Sequence, residues 1–196
     1  MTSEKNSEWD YRSEINKQIV PGTILLSEPF MLDPSFARTA CLVVNHQKTE
    51  GTFGLVLNRK SNLKLSELVE VDYDWNIYSG GPVGTDNLFF VHNNNCDLKD
   101  TIKISENLYW NGDFEELFQK IKDGMVKESD IKFFVGYSGW DSGQLRREII
   151  ENSWIVSNNT TQHVLKQSKY LWNDILKEMG GNYKEFANYP INPSLN

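Results

Sequence analysis

Ile131-Lys132-Phe133-Phe134-Val135-Gly136-Tyr137-Ser138-Gly139-Trp140-Asp141-Ser142-Gly143-Gln144-Leu145 decides the reading of this chain. The first five residues form an apolar run, which predicts a buried strand over 131–135. An amphipathic pattern from Gln144 to Asn152 predicts a helix. Between them lie three glycines, two serines and two aromatics. Such a strand-to-helix turn offers backbone amides and side chains to a ligand.

Further strands lie outward from this stretch. Thr23–Leu26, 39–46 and 52–58 are apolar runs, and Lys48-Thr49-Glu50-Gly51 joins the last two as a hairpin. Because these runs are nearly all apolar rather than alternating, the sheet should be covered on both faces. Residues 77–79, 88–92, 101–104 and 153–156 read as more strands. Asp113 and Glu116 form a capping-box pattern ahead of Phe114, Leu117, Phe118 and Ile121, one face of a helix ending at Gly124. Leu171, Ile175, Leu176 and Met179 form the inner face of a last helix, which stops at Gly180-Gly181. Several strands precede the first long helix. The fold class is therefore mixed α/β, with a mixed, largely antiparallel central sheet and helices packed on its faces. One domain over 19–181 is expected, with a flexible or helical N-terminal extension (1–18) and a polar C-terminal tail (182–196) along the surface.

The chain has 196 residues, 39% of them hydrophobic, enough for a substantial core. Its net charge of -7 and lack of a basic stripe argue against nucleic-acid binding by bulk electrostatics. Two cysteines make no disulfide framework and read as unlinked thiols in a reducing cytoplasm. No apolar stretch approaches the ~20 residues of a membrane span, and Met1 to Lys17, polar and mixed in charge, is not expected to act as a signal peptide. His46, His92 and His163 share no metal-ligand spacing with each other or with the cysteines. No metal or cofactor is expected.

Short motifs recur in order along the chain after residue 21. They are Gly22-Thr23-Ile24-Leu25-Leu26-Ser27-Glu28-Pro29, Asp33-Pro34-Ser35-Phe36-Ala37-Arg38-Thr39, Gly51-Thr52-Phe53-Gly54-Leu55-Val56-Leu57-Asn58-Arg59, Gly80-Gly81-Pro82-Val83 with Phe90-Val91-His92, and Gly136-Tyr137-Ser138-Gly139-Trp140 with Gly143-Gln144-Leu145. In this order the chain resembles the AlgH/YqgE proteins, a bacterial family without an established biochemical activity. Asn45 and Arg146 depart from it by standing where glutamate is usual. The resemblance implies a mixed α/β fold and a cytoplasmic protein. Some members are labelled transcriptional regulators, a label resting on genetics rather than on a DNA-binding motif.

Two chemistries compete for the 136–145 run. Gly136 and Ser138 fit the Gly-x-Ser-x-Gly elbow of serine hydrolases, but Trp140 replaces its last glycine and only His163 follows in the required order. The other reading is a small-ligand site, with amides of Gly139 to Gly143 facing an anion and Tyr137 and Trp140 as a stacking wall. A purely structural account is also open: a tight turn, buried aromatics, and Ser142 as the helix cap. Gly80 and Gly81 read as a positive-φ turn beside this run. Arg38 can clamp a carboxylate or phosphate, or pair internally with Asp33. The sequence thus points to a non-enzymatic regulatory or interaction protein. Its partner would be a protein or small anionic ligand, held by Asp33, Arg38, Asn58, Arg59, Gly80, Gly81, Gly136, Tyr137, Ser138, Gly139, Trp140, Gly143 and Gln144. The alternative is an enzyme of unassigned class, such as a hydrolase using Ser138.

Overall fold

The computed structural model describes residues 17–158 and 161–190. Ten strands form one sheet. In chain order they are β1 (Ile24–Ser27), β2 (Ala40–Gln47), β3 (Gly51–Val56), β4 (Lys60–Lys64), β5 (Asn76–Ser79), β6 (Val83–His92), β7 (Ile102–Ser105), β8 (Leu108–Trp110), β9 (Ile131–Trp140) and β10 (Trp154–Ser157). Among the described residues five α-helices accompany them: α1 (Leu65–Leu68), α2 (Phe114–Lys122), α3 (Gln144–Ile150), α4 (Leu171–Met179) and α5 (Gly181–Phe186). The main path runs β10-β1-β2-β3-β9-β6-β8-β7, and β5 joins β4 to β9. Every pairing is antiparallel except that of β5 with β9. The sheet is thus mixed and largely antiparallel, as the run of strands ahead of the first long helix predicts.

Helices cover both faces. Leu26, Leu42, Leu55 and Phe134 on one face pack with Leu171, Trp172, Ile175 and Leu176 of α4. On the other face, Cys41, Val43, Val56 and Trp154 pack with Leu145 and Ile149 of α3. Further along that sheet, Ile77, Phe90 and Phe133 pack with Leu117 and Ile121 of α2. Burying each such side chain contributes about 1.5–3 kcal/mol. The two-sided cover explains why β2 and β3 are nearly all apolar.

Local chemistry sets the helix ends. Asp113 Oδ1 accepts the Glu116 N–H at 3.0 Å and caps α2. The reciprocal half of the expected box is absent, because the Glu116 carboxylate instead accepts the Lys99 N–H and pairs with Lys120 at 3.1 Å. Trp172 Nε1 donates to Ser27 O at 2.9 Å, tying α4 to β1.

Two elements run differently from the sequence reading. β9 continues five residues past Val135, to Trp140. Residues 182–186, read as the start of a polar tail, belong to α5, and Ala187 joins the core; the rest of that tail from 191 and residues 1–16 of the expected extension lie outside the described residues.

Candidate functional site

β9 is where the sheet changes partners. β6 lies along one edge, from His92↔Ile131 to Val83↔Tyr137. The other edge is shared: β5 runs parallel beside Phe133, Phe134 and Val135, then β3 runs antiparallel beside Ser138, Gly139 and Trp140. Gly136 sits at the changeover with φ 69°. This left-handed residue breaks the strand's alternation. Phe134 and Tyr137, three apart, therefore pack on the same α4 side, and Trp140 packs with the α3 side.

The Gly80-Gly81 turn closes the crossing. The Gly80 N–H donates to Val135 O at 2.9 Å, and Gly80 O accepts the Val56 N–H at 2.8 Å. Ser138 Oγ donates to the same oxygen at 3.0 Å. A Cβ on Gly80 would lie 2.3 Å from Gly136 O, and one on Gly81 2.2 Å from Tyr137 O. Gly81 also has φ 155°. These glycines let three strands meet at van der Waals distance. The structure thus brings together Gly80, Gly81, Gly136, Tyr137 and Ser138, as a strand junction.

The hydrolase reading meets a geometric obstacle here. Ser138 is fully buried, with its hydroxyl on Gly80 O. His163, its expected base, bonds Glu178 Oε2 at 2.5 Å and Lys166 Nζ at 2.8 Å. The neighbouring Cys41 thiol is pushed up to about 12 by burial, against a smaller opposing effect of Ser138. Such a thiol is inert at neutral pH.

The expected stacking wall is occupied by the protein itself. Trp140 is 5% exposed. Its ring stacks with Phe36 at 6.2 Å and meets Trp154 edge-on at 5.7 Å. Both indole N–H groups donate to Glu148 Oε2, at 2.8 and 2.7 Å. Tyr137 stacks on Phe53 at 4.6 Å. Phe36, from the 33–38 loop, thus packs against Trp140 where a stacked ligand was expected.

The turn into α3 closes on itself, with the Gln144 N–H donating to Asp141 O at 2.9 Å. α3 has seven residues, and Gln144 Oε1 takes the Asp141 N–H at 2.9 Å. Gly143, at φ 73°, is the N-cap. Ser142, expected to cap the helix, instead donates to Lys48 O at 2.7 Å across the β2–β3 turn. Gly139 lies exposed in β9, opposite Phe53.

Asp33 and Arg38 do not pair. Asp33 Oδ1 accepts the Ser35 N–H at 2.7 Å. The Arg38 guanidinium donates to Tyr189 O at 2.5 Å and Pro190 O at 2.8 Å, and lies 5.1 Å from the Trp172 ring centroid. Asn58 Oδ1 accepts the Ala40 N–H at 3.0 Å, and its Nδ2 donates to Arg38 O at 2.9 Å. Arg59 donates to Pro34 O and Ala37 O. Together these polar side chains stitch the 33–38 loop to β2 and to the chain after α5.

An open cleft lies beside this clasp. It has a volume of about 570 Å³, between the segment after β1, the 151–155 stretch and α5. Glu28, Phe30, Glu151, Asn152, Glu185, Phe186 and Tyr189 are on its walls. None of them is among the thirteen residues singled out from sequence. The apolar spacing Tyr183, Phe186, Tyr189 was the available signal, obscured by the polar residues around it.

Two adjacent ionisable groups of the sheet are displaced by their surroundings. Lys132 lies in β9 with Nζ donating to Val164 O at 3.3 Å and Lys166 O at 2.7 Å. Burial, with a smaller contribution from Lys60, pulls its ammonium down to about 7. Its Nζ stands 4.1 Å from the Tyr78 ring centroid. Burial, then Glu128, raises the Tyr78 phenol to about 12. Among the described residues no group of three or more His, Cys, Asp or Glu can hold a metal ion. No helix there is long and apolar enough to cross a membrane.

The sheet and its glycine-lined crossing define a mixed α/β protein built around one shared strand. The profile of the AlgH-like family matches residues 24–184, and the chain belongs to that family. A UPF0301 protein of Cytophaga hutchinsonii is 38% identical over 182 residues, covering 91% of this chain and 100% of its own. One of Bacteroides thetaiotaomicron is 38% identical over 179 residues, covering 89% and 90%. The solution structure of the AlgH protein from Pseudomonas aeruginosa matches with a TM-score of 0.69 at 28% identity, covering 89% of this chain and 98% of that one. A crystal structure from Corynebacterium diphtheriae shares the fold, with a TM-score of 0.73 at 21% identity over 88% and 94%.

Proposed function

We propose that this is a non-enzymatic binding protein of regulatory type, working in the cytoplasm. Its ligand would occupy the cleft walled by Phe30, Asn152 and Phe186. The observation that carries this reading is the cleft itself, whose volume of about 570 Å³ lies in the range of small-molecule sites. Ser138, Trp140, Ser142 and Gln144 of the glycine block, by contrast, already have partners within the protein. A regulatory output has a structural route. α5 forms one wall, and Arg38 holds the chain just beyond it. A ligand that favours one position of α5 would shift what that end of the molecule presents to a partner.

Amide NMR shifts during titration with pooled small metabolites test this reading, run beside a broad ester, phosphatase and peptidase screen. The expected result is movement of the Ser153, Asn182 and Phe186 amides and no turnover that depends on Ser138. Turnover abolished in Ser138→Ala would overturn it.

A further inference from the structure

The charge of the cleft is one-sided. Glu28, Glu151 and Glu185 line it, and among the described residues no lysine, arginine or histidine does. The three carboxylates come from separate elements: the segment after β1, the C-cap of α3, and α5. Glu28 gives one oxygen to the Phe30 N–H at 2.9 Å. Asn152 is also on the wall, with its Oδ1 buried and without a hydrogen-bond partner. The apolar wall is aromatic. Phe30 stacks on Tyr189 with centroids 5.5 Å apart and planes at 20°, and Phe186 lies 5.4 Å from Tyr189.

Carboxylates accept hydrogen bonds, and ring faces attract cations. The ligand must therefore donate and carry positive charge. An anion would meet three like charges in the same space. A single metal ion is also a poor fit, since no three of the acidic groups among the described residues can hold one. Carboxylates spread around an aromatic wall suit a cation that is extended: charged at intervals, with methylenes between to lie on the rings.

We propose that the cleft binds a small aliphatic polyamine. This rests on the reading that the cleft is the ligand site. It departs from the anionic ligand expected from the glycine-rich block.

Isothermal titration of the full chain with spermidine at fixed ionic strength tests it. Glu151→Gln and Glu185→Gln serve as cleft variants and Glu70→Gln as a charge-matched control, all at exposed positions. Spermidine is expected to bind one site per chain, about ten-fold more weakly in each cleft variant, with Glu70→Gln unchanged. Equal weakening in all three variants would reduce the effect to bulk charge and overturn the inference. So would binding of a lysine-rich peptide when free spermidine fails to bind. If a neutral or anionic metabolite moves the Ser153 and Phe186 amides while spermidine does not, the polyamine inference falls and the cleft reading stands. If no probe of any charge moves them, both fall.

Discussion

Ser138 Oγ and Gly80 O are joined by a 3.0 Å hydrogen bond inside the sheet, where the strand edge passes from β5 to β3. Because the same oxygen also accepts the Val56 N–H, it stays satisfied when the hydroxyl is removed. Ser138→Ala should therefore cost only about 0.5–1.5 kcal/mol, the net value of one internal hydrogen bond. Chemical denaturation would measure this as a lower midpoint at unchanged slope. A loss above about 4 kcal/mol would mean that the hydroxyl does more than brace the junction.

Gly81 is far less forgiving. Its φ of 155° and the 2.2 Å approach of a Cβ to Tyr137 O leave no room for a side chain. Gly81→Ala must push β9 and the turn apart, and it should abolish soluble folded protein or lower its melting temperature steeply. Circular dichroism on heating checks this. A variant melting within a few degrees of the parent would refute the crossing as described.

The same crossing separates what the sequence reveals from what it hides. β1, β2 and β3 are visible because two-sided burial makes them apolar runs. β4, Lys-Ser-Asn-Leu-Lys, is half-exposed beyond β5, so no apolar pattern marks it. β9 looks as if it ends at Val135, because glycines usually mark turns; here Gly136 bends the strand without ending it. Trp140 reads as a ligand wall because sequence cannot show that Phe36 and Trp154 already cover it. The cleft is hidden for a different reason. Its acids are spread from Glu28 to Glu185, and only tertiary packing gathers them.

Arg38 makes a longer-range prediction. Its backbone is held at φ 53°, an uncommon conformation for a side-chain-bearing residue, and its guanidinium anchors the Tyr189 and Pro190 carbonyls. Arg38→Ala should free the chain after α5 while leaving the sheet intact. Hydrogen exchange at Ala187–Tyr189 is expected to accelerate at least ten-fold, with β2 and β9 amides unchanged. Uniform acceleration would instead indicate global destabilisation.

Lys132 sets a pH dependence. Its ammonium falls from an ordinary 10.5 to about 7 in the folded protein, chiefly through burial. Between those values the unfolded chain holds a proton that the folded chain has released. Stability must therefore rise with pH across this window, by about 1.4 kcal/mol for each unit of displacement. The gain is absent below about pH 7, where both states carry the proton. Above pH 10 the Tyr78 phenol, held up at about 12, works in the opposite direction. Lys132→Met removes the titrating group but keeps a long apolar stem against the Tyr78 ring. It also leaves the Val164 and Lys166 carbonyls without this donor, so its absolute stability mixes several effects. The slope isolates the charge. Urea midpoints measured from pH 7 to 9.5 should climb in the parent and climb less steeply in Lys132→Met. Parallel curves would show that the ammonium is not displaced on folding.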